Sequence, residues 1–165
     1  MGSALFALEV PPAGGDTGFA NMYLAFDTLP EDLRRQVEGR LCRHDSSRNS
    51  AGELSRGHSE VTDPRAAPGA NHPIIRTHPL TSRKALFLGR RRNAYIQGLS
   101  LAESEALLDE LWAHATRDEF SWYQQWRAGD LILWDNRCVM HRRDAFDPAA
   151  RRVMHRTQIK GDRPY

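Results

Sequence analysis

Hydrophobic and polar positions alternate along several short stretches of the chain, a period that is typical of half-buried strands. The first apolar run, residues 4–10, fits a buried strand that ends at two prolines. Further runs with strand character lie at 71–76, 85–88, 120–127, 130–135 and 151–160. Many strands without regular strand–helix alternation predict a mainly β fold with flanking helices (α+β), an antiparallel sandwich or jelly roll.

Helical spacing occurs in two places, and each follows a capping-box sequence. Residues 28–31, Thr-Leu-Pro-Glu, predict a helix that runs through Val37 toward Leu41. Residues 100–103, Ser-Leu-Ala-Glu, predict an amphipathic helix that continues to about Ala115.

The composition changes between residues 43 and 71, where Ser, Gly, Pro and charged residues replace any hydrophobic period. This segment is predicted to be a loop or lid insertion in a single domain spanning residues 1–165. It contains His58-Ser59-Glu60. Of the seven histidines in the chain, only His58 has an acidic residue two positions later, which is the H-x-acid arrangement. We interpret His58 and Glu60 as a solvated loop pair rather than as metal ligands.

Length and charge narrow the classes of function. The chain has 165 residues, enough for one domain with a core, and a formal net charge of +2, which favours neither nucleic acid nor membrane binding. Apolar runs such as 131–134 are far shorter than a membrane span. Cys42 and Cys138 are widely separated, which favours two reduced thiols in a cytoplasmic protein.

The last predicted strand places two arginines on one face. Side chains alternate along a strand, so Arg152, Met154 and Arg156 point to the same side, and the guanidinium groups start about 13 Å apart at about 3.3 Å per residue. If this face looks into the barrel, both arginines can bind anions bidentately. If the opposite face does, they form a solvated surface pair, and periodicity alone leaves both possibilities open.

His141 lies between the compact segment 134–137 and the last strand. A lone histidine is usually structural or exposed. A non-haem iron(II) oxygenase, however, needs two imidazoles and one carboxylate on one side of the metal, with the other side open for a 2-oxo acid and oxygen. The sequence around His141 therefore decides how this residue is interpreted.

That surrounding sequence resembles a known family. Trp134-Asp135-Asn136-Arg137, His141, Arg152 and Arg156 are similar to the C-terminal signature of the taurine and 2,4-dichlorophenoxyacetate dioxygenases. Other stretches resemble the same family in the same order: 14–17, 30–33, 72–79, 85–87 and 103–108. The resemblance implies a double-stranded β-helix (jelly roll) and an Fe(II)- and 2-oxoglutarate-dependent dioxygenase. Such an enzyme uses O2 to hydroxylate a small organic substrate and releases succinate and CO2.

The resemblance also implies roles for individual residues. His141 would be the distal iron-binding histidine. Arg152 and Thr17 would bind the far carboxylate of 2-oxoglutarate. Arg156 would face the anionic group of the substrate, and Trp134 would pack the pocket wall beside the metal.

The family's other two iron ligands form an H-x-D motif. Its expected spacing from residues 14–17 places this motif before Met1. We therefore expect the chain to be the C-terminal part of such an enzyme, an N-terminally truncated jelly roll. One alternative is a non-catalytic jelly-roll remnant that lacks the H-x-D ligands. A weaker one is a basic interaction module acting through Arg90–Arg92.

The same arginine run bears on the substrate. Arg92 stands where the taurine branch places an aromatic residue, so a cationic pocket wall would favour an anionic substrate without a free amine. Alternatively, Arg90–Arg92 face solvent. Finally, truncation would leave strand 4–10 as an uncovered edge, which predicts a homo-oligomer.

Overall fold

A computed structural model of the chain describes residues 1–48, 52–89, 92–161 and 165. The strands are β1 (Gly2–Glu9), β2 (Thr17–Asn21), β3 (Leu41–Asp45), β4 (Gly69–Pro73), β5 (Ile75–Thr77), β6 (Lys84–Leu86), β7 (Tyr95–Ile96), β8 (Ser121–Gln124), β9 (Leu131–Asp135), β10 (Val139–Arg143) and β11 (Val153–Ile159). The helices are α1 (Met22–Asp27), α2 (Glu31–Val37) and α3 (Leu101–Ala115), with 3-10 turns at Pro64–Ala66 and Asp118–Phe120. The predicted fold class, mainly β with flanking helices, is confirmed.

Two antiparallel sheets position the candidate site, with strand orders β11-β1-β9 and β10-β2-β8. Alternation along β1 buries Ser3 and Ala7 completely, and Trp134 of β9 lies opposite Ser3 on the same buried side. The buried Phe19 of β2 meets the Trp134 ring edge-on, with centroids 5.2 Å apart. The two sheets therefore face each other through this aromatic contact.

The first strand is not a sheet edge. β1 pairs with β11 on one side and with β9 on the other, so it is the middle strand of its sheet. The expectation of an uncovered edge at residues 4–10 is therefore wrong, because its backbone groups are paired within the chain. The edges of this sheet are β9 and β11.

The main hydrophobic core lies beside these sheets. It joins the buried faces of α1, α2 and α3 to the small sheets β4-β3-β7 and β5-β6. The strand predicted at 71–76 is split between β4 and β5, and β5 forms a hairpin with β6, the strand predicted at 85–88, in which Ile75 pairs with Leu86. α3, at 15 residues, is the longest helix, and no helix in the described ranges is long and apolar enough to cross a bilayer.

The polar segment is shorter than the predicted 43–71, because strands occupy both of its ends. β3 and β4 pair from Leu41↔Pro73 to Asp45↔Gly69, which leaves residues 46–68 between them. Arg48 organises part of this connection, since it forms an ion pair with Glu60 and donates to the carbonyl of Gly52 at 2.5 Å. A lid function for the segment stays a prediction.

The capping box at Ser100 is confirmed. The Ser100 hydroxyl accepts from the Glu103 backbone N–H, and the Glu103 carboxylate accepts from the Ser100 backbone N–H at 2.9 Å. The proposed box at Thr28 is wrong: α2 starts after Pro30 without a side-chain cap. Thr28 instead ends α1, where its hydroxyl donates to the Leu24 carbonyl at 2.7 Å.

The chain around Thr28 differs from the prediction in two more ways. α1 was not predicted; the side chain of Asn21 caps it by accepting from the backbone N–H groups of Tyr23 and Leu24. α2 ends at Val37 rather than near Leu41, because Gly39 turns the backbone at a φ of +71° and β3 begins two residues later.

Candidate functional site

His141 lies on β10 and faces a group of aromatic rings. Its register partner is Phe19 of β2, and their ring centroids are 6.4 Å apart. Trp134 of β9 comes closer, at 4.9 Å and a tilt of 58°. The predicted iron ligand and the predicted pocket wall are thus in contact, although they come from opposing sheets.

The environment of His141 favours its neutral form. Burial of the ring by its neighbours lowers the pKa of His141, and the positive charge of Arg156 lowers this pKa further. A neutral imidazole keeps a lone pair available, which is the form that binds a metal ion. The residue as a whole is nevertheless exposed to solvent.

The segment 14–17 forms a tight turn into β2. Gly14 and Gly15 both adopt a φ of +72°, which L side chains rarely adopt. The backbone N–H of Gly15 donates to the Ala145 carbonyl at 3.1 Å, which extends the pairing of β2 with β10. A Cβ at Gly15 would lie 3.2 Å from the Cδ and Nε of Arg152, so glycine lets the guanidinium approach the backbone.

Arg152 uses this space. Its Nε donates to the Gly15 carbonyl at 3.1 Å. Its Nη2 is buried and has no hydrogen-bond partner in the described part of the protein. Burial and the positive charge of Arg143 lower the pKa of Arg152, whereas the negative charge of Asp16 raises it. A buried N–H donor without an acceptor is costly, and an anion is the ligand that would satisfy it.

Thr17 follows Gly15 by two residues, at the start of β2, and is buried. Its hydroxyl oxygen accepts a hydrogen bond from Nε1 of Trp126 at 2.9 Å. No described residue accepts a hydrogen bond from the Thr17 hydroxyl in return. Thr17 and Arg152, which are 135 residues apart in the sequence, therefore present unused donors in one region through the turn at Gly15.

A chain of hydrogen bonds fixes the Trp134 ring. Its Nε1 donates to Oδ1 of Asn136 at 2.9 Å, and Nδ2 of Asn136 donates to Oγ of the fully buried Ser3 at 2.8 Å. The ring next to His141 is thus held from β1 through a side-chain amide.

Arg156 lies on the inward side of β11. It pairs with Leu5 of β1. Leu5 points to the same side of β1 as Ser3 and Ala7, which are both fully buried. Arg156 itself is exposed, yet it is near enough to influence the pKa of His141. Of the two possibilities left open by periodicity, the arrangement agrees with the inward one.

The other predicted residues lie apart from this group. Arg92 is exposed, and its charge acts on Glu60, whose pKa is lowered chiefly by Arg48. Nothing in the described ranges links Arg92 to His141 or Arg152, while Arg90 and Arg91 lie outside the described residues. Glu60 forms an ion pair with Arg48, and the interpretation of His58 and Glu60 as a solvated loop pair stays a prediction.

A second group of possible metal ligands comprises His78, Asp135 and Cys138, whose donor atoms all lie within 4.8 Å of one another. Its bonds argue against metal binding. Nδ1 of His78 accepts from two backbone N–H groups at 3.3 Å each, so Nε2 carries the proton and donates to Asp135 at 3.2 Å.

Asp135 in that group is already paired. Burial raises its pKa, but hydrogen bonds from Arg137 and His78 outweigh this and hold the pKa of Asp135 well below its usual range. The contact with Arg137 is bidentate, at 2.5 and 2.8 Å. Neither Cys42 nor Cys138 forms a disulfide bond, as predicted. We interpret the group as a clamp that shapes the turn between β9 and β10.

Sequence reasoning missed three contacts of the site: Trp126 with Thr17, Asn136 with Trp134, and Gly15 with Arg152. Trp126 lies just beyond β8, in a stretch that was predicted only as strand. An aromatic residue before a polar turn carries no signal about a hydroxyl 109 positions earlier. The doubled glycine at 14–15 could have indicated a close approach of the backbone.

Comparisons with known proteins point to one enzyme family. Residues 1–158 match the family described as "Taurine catabolism dioxygenase TauD, TfdA family". An alpha-ketoglutarate-dependent 2,4-dichlorophenoxyacetate dioxygenase of Cupriavidus pinatubonensis is 42% identical over 160 residues, covering 97% of this chain and 55% of that protein. An alpha-ketoglutarate-dependent sulfate ester dioxygenase of Pseudomonas putida is 32% identical over 170 residues, covering 98% and 56%.

A solved structure shows the same fold. The crystal structure of AAD-2 in complex with Mn(II) and N-oxalylglycine superposes with a TM-score of 0.84 and 35% identity, covering 99% of this chain and 64% of that one. The chain spans about half the length of the curated relatives that it matches.

Proposed function

Because this chain belongs to the TauD/TfdA family of dioxygenases, we propose that it serves an Fe(II)- and 2-oxoglutarate-dependent hydroxylation of a small anionic substrate. The observation that carries the proposal is the unpaired, buried Nη2 of Arg152, whose Nε donates to the Gly15 carbonyl two residues before Thr17, itself a buried residue with an unused hydroxyl hydrogen. Two donors that lack acceptors fit the carboxylate of a dicarboxylic acid. AAD-2, which shares the fold, is described with Mn(II) and N-oxalylglycine, an analogue of 2-oxoglutarate.

The residues present fit the cofactors in separate ways. Arg152 and Thr17 would hold the far carboxylate of 2-oxoglutarate, and His141 would offer its neutral imidazole to iron. When bound, iron(II) and 2-oxoglutarate supply the oxidation of a C–H bond by O2, with release of succinate and CO2. Trp134, fixed through Asn136, forms an apolar wall that keeps water from that side of His141.

The substrate class follows from Arg156. Its guanidinium lies on the inward face and near His141, so an anionic group bound there would bring the rest of a small molecule toward the metal ligand. A carboxylate, sulfonate or sulfate ester supplies such a group. The names of the relatives, a 2,4-dichlorophenoxyacetate and a sulfate ester dioxygenase, support this class. Arg92 as a second substrate contact, selecting against a free amine, stays part of the proposal.

Two neighbouring arginines provide the test. Arg151 is exposed and forms a surface ion pair with Glu9, with 2.7 Å between Nε and Oε2. Arg152→Ala should weaken 2-oxoglutarate binding to the full chain at least about thirtyfold, because it removes a partly buried charged partner of the carboxylate. Arg151→Ala should leave the affinity unchanged. Isothermal titration measures both, and equal affinities for the two variants would refute the proposed site.

Location and assembly complete the proposal. Cysteines 42 and 138, neither of which forms a disulfide bond, suit a reducing compartment, which supports a cytoplasmic protein. Besides O2 and the substrate, we propose a second copy of the chain as a partner. The apolar outer face of the β11-β1-β9 sheet supports this self-association, whereas residues 4–10 do not form the sheet edge that was predicted.

A further inference from the structure

Trp126 is a buried aromatic residue in contact with Thr17, and the proposed reaction gives it no role. Its indole Nε1 donates to Oγ1 of Thr17 at 2.9 Å, and both residues are less than a tenth exposed. Thr17 pairs with Gln124 of β8, and Trp126 follows two residues later, past the end of that strand. The indole therefore reaches Thr17 from the β8 side, whereas Arg152 approaches from the turn at Gly15.

The chemistry of the two groups makes this bond directional. An indole N–H can only donate, whereas a hydroxyl has one hydrogen to donate and two lone pairs that accept. Once Trp126 occupies the acceptor side of Thr17, the hydroxyl hydrogen must point elsewhere. Among the described residues the Thr17 hydroxyl meets no acceptor. The Arg152 guanidinium, which carries only donors, cannot supply one.

We propose that Trp126 is a positioning residue for 2-oxoglutarate: its indole N–H orients the Thr17 hydroxyl so that its hydrogen points at the carboxylate bound by Arg152. This inference rests on the proposed function. Trp126 acts through Thr17 and does not touch the ligand itself. The pair makes Thr17 a dedicated donor, which selects a ligand group that carries only acceptors.

A double-mutant cycle tests the coupling. The affinity of the full chain for 2-oxoglutarate is measured by isothermal titration for the unaltered protein, Trp126→Phe, Thr17→Val and the double variant. Each single variant should bind about three- to tenfold more weakly, the effect of one lost or misdirected hydrogen bond. The double variant should bind no more weakly than Thr17→Val alone, because Trp126 has nothing left to orient.

Matched controls separate positioning from packing. Thr17→Ser keeps the hydroxyl and should retain the affinity. Trp122→Phe alters the exposed tryptophan of β8, whose ring stacks on Phe19 and makes no bond to Thr17, and it should leave the affinity for 2-oxoglutarate unchanged. In proton–nitrogen spectra without ligand, the Trp126 indole N–H should exchange faster with solvent in Thr17→Val than in the unaltered chain. This measurement does not require Trp126→Phe to fold.

The outcomes are distinct. Unchanged affinity in Trp126→Phe, additive losses in the double variant, or an indole N–H insensitive to Thr17→Val would each overturn the role of Trp126 while leaving the proposed function intact. Failure of the unaltered chain to bind 2-oxoglutarate, or tight binding by Arg152→Ala, would instead overturn the proposed function, and the role of Trp126 with it.

Discussion

At Gly15 the backbone and a guanidinium need the same space. The carbonyl of this residue accepts from Arg152, and the position where a side chain would start is only 3.0 Å from Pro11 and 3.2 Å from Arg152. The positive φ of the same residue adds a backbone requirement. Sequence reasoning assigned Arg152 and Thr17 from the family resemblance, but it could not show that Gly15 makes room for Arg152, because the contact between these two residues exists only after the turn has formed.

Gly39 provides a control for this position. It has nearly the same φ, +71° against +72°, but nothing lies within 4 Å of its would-be side chain. Gly39→Ala should therefore cost only backbone strain, about 1–2 kcal/mol. Gly15→Ala adds overpacking of about 1–3 kcal/mol and should also weaken 2-oxoglutarate binding. Urea unfolding measures the difference, and equal costs would contradict the crowding at Gly15.

His44 predicts a pH dependence of stability. Burial, followed by the nearby His72, lowers the pKa of His44 to about 4, and its ring packs 5.3 Å from that of Phe87. In the unfolded chain this pKa returns to about 6.5, so the unfolded state binds the proton first as pH falls. The contribution of neutral His44 is complete above pH 6.5 and is lost progressively down to about pH 4.

The loss should approach about 3 kcal/mol. It is measured as the difference in unfolding free energy between the unaltered chain and His44→Phe, followed from pH 7 to pH 4. His44→Gln, which also cannot titrate, should give the same pH-dependent difference. A difference that stays constant with pH would refute the assignment.

At the scale of elements, helices and strands with a regular hydrophobic pattern were predicted well, whereas short or polar elements were missed. α3 was predicted because its capping box and apolar spacing agree. β10 was missed because Val139–Arg143 is mostly polar, and it forms a strand through pairing with β2 rather than through its own pattern. α1 has only 6 residues, too few for a helical period to be visible.

The two capping-box sequences provide a prediction at this scale. Ser100→Ala removes reciprocal bonds that satisfy free backbone groups, so it should lower the unfolding free energy by about 1 kcal/mol. Thr28→Ala removes a bond to a carbonyl at an exposed helix end and should cost no more than about 0.5 kcal/mol. Urea unfolding of the two variants compares them directly; a larger loss at Thr28 would contradict the observed caps.

The whole molecule presents an apolar outer face on the β11-β1-β9 sheet. Leu131 pairs with Phe6, Leu133 with Ala4, and Ile159 with Gly2, so alternation places them on one side. Leu131 and Leu133 are each 66% exposed, and both lie on an edge strand. A contiguous apolar surface at a sheet edge favours association with another chain.

We expect the unaltered chain to self-associate through this face. Leu131→Lys combined with Leu133→Lys should shift it toward a monomer in sedimentation velocity, because charge on an edge strand opposes pairing. Leu80→Lys is the control, since Leu80 is 79% exposed but lies in the turn between β5 and β6. A monomeric unaltered chain, or an equal effect at Leu80, would exclude this face.

The pairing of strands has a consequence for a chain that is cut. Each of β1, β2 and β3 pairs only with strands that follow the polar connection 46–68, among the pairings that the structure describes. Thr17 precedes this connection, whereas Trp126, His141 and Arg152 follow it. A protease that nicks the connection should therefore release no fragment: the two pieces should co-migrate under native conditions, separate only in denaturant, and still bind 2-oxoglutarate together.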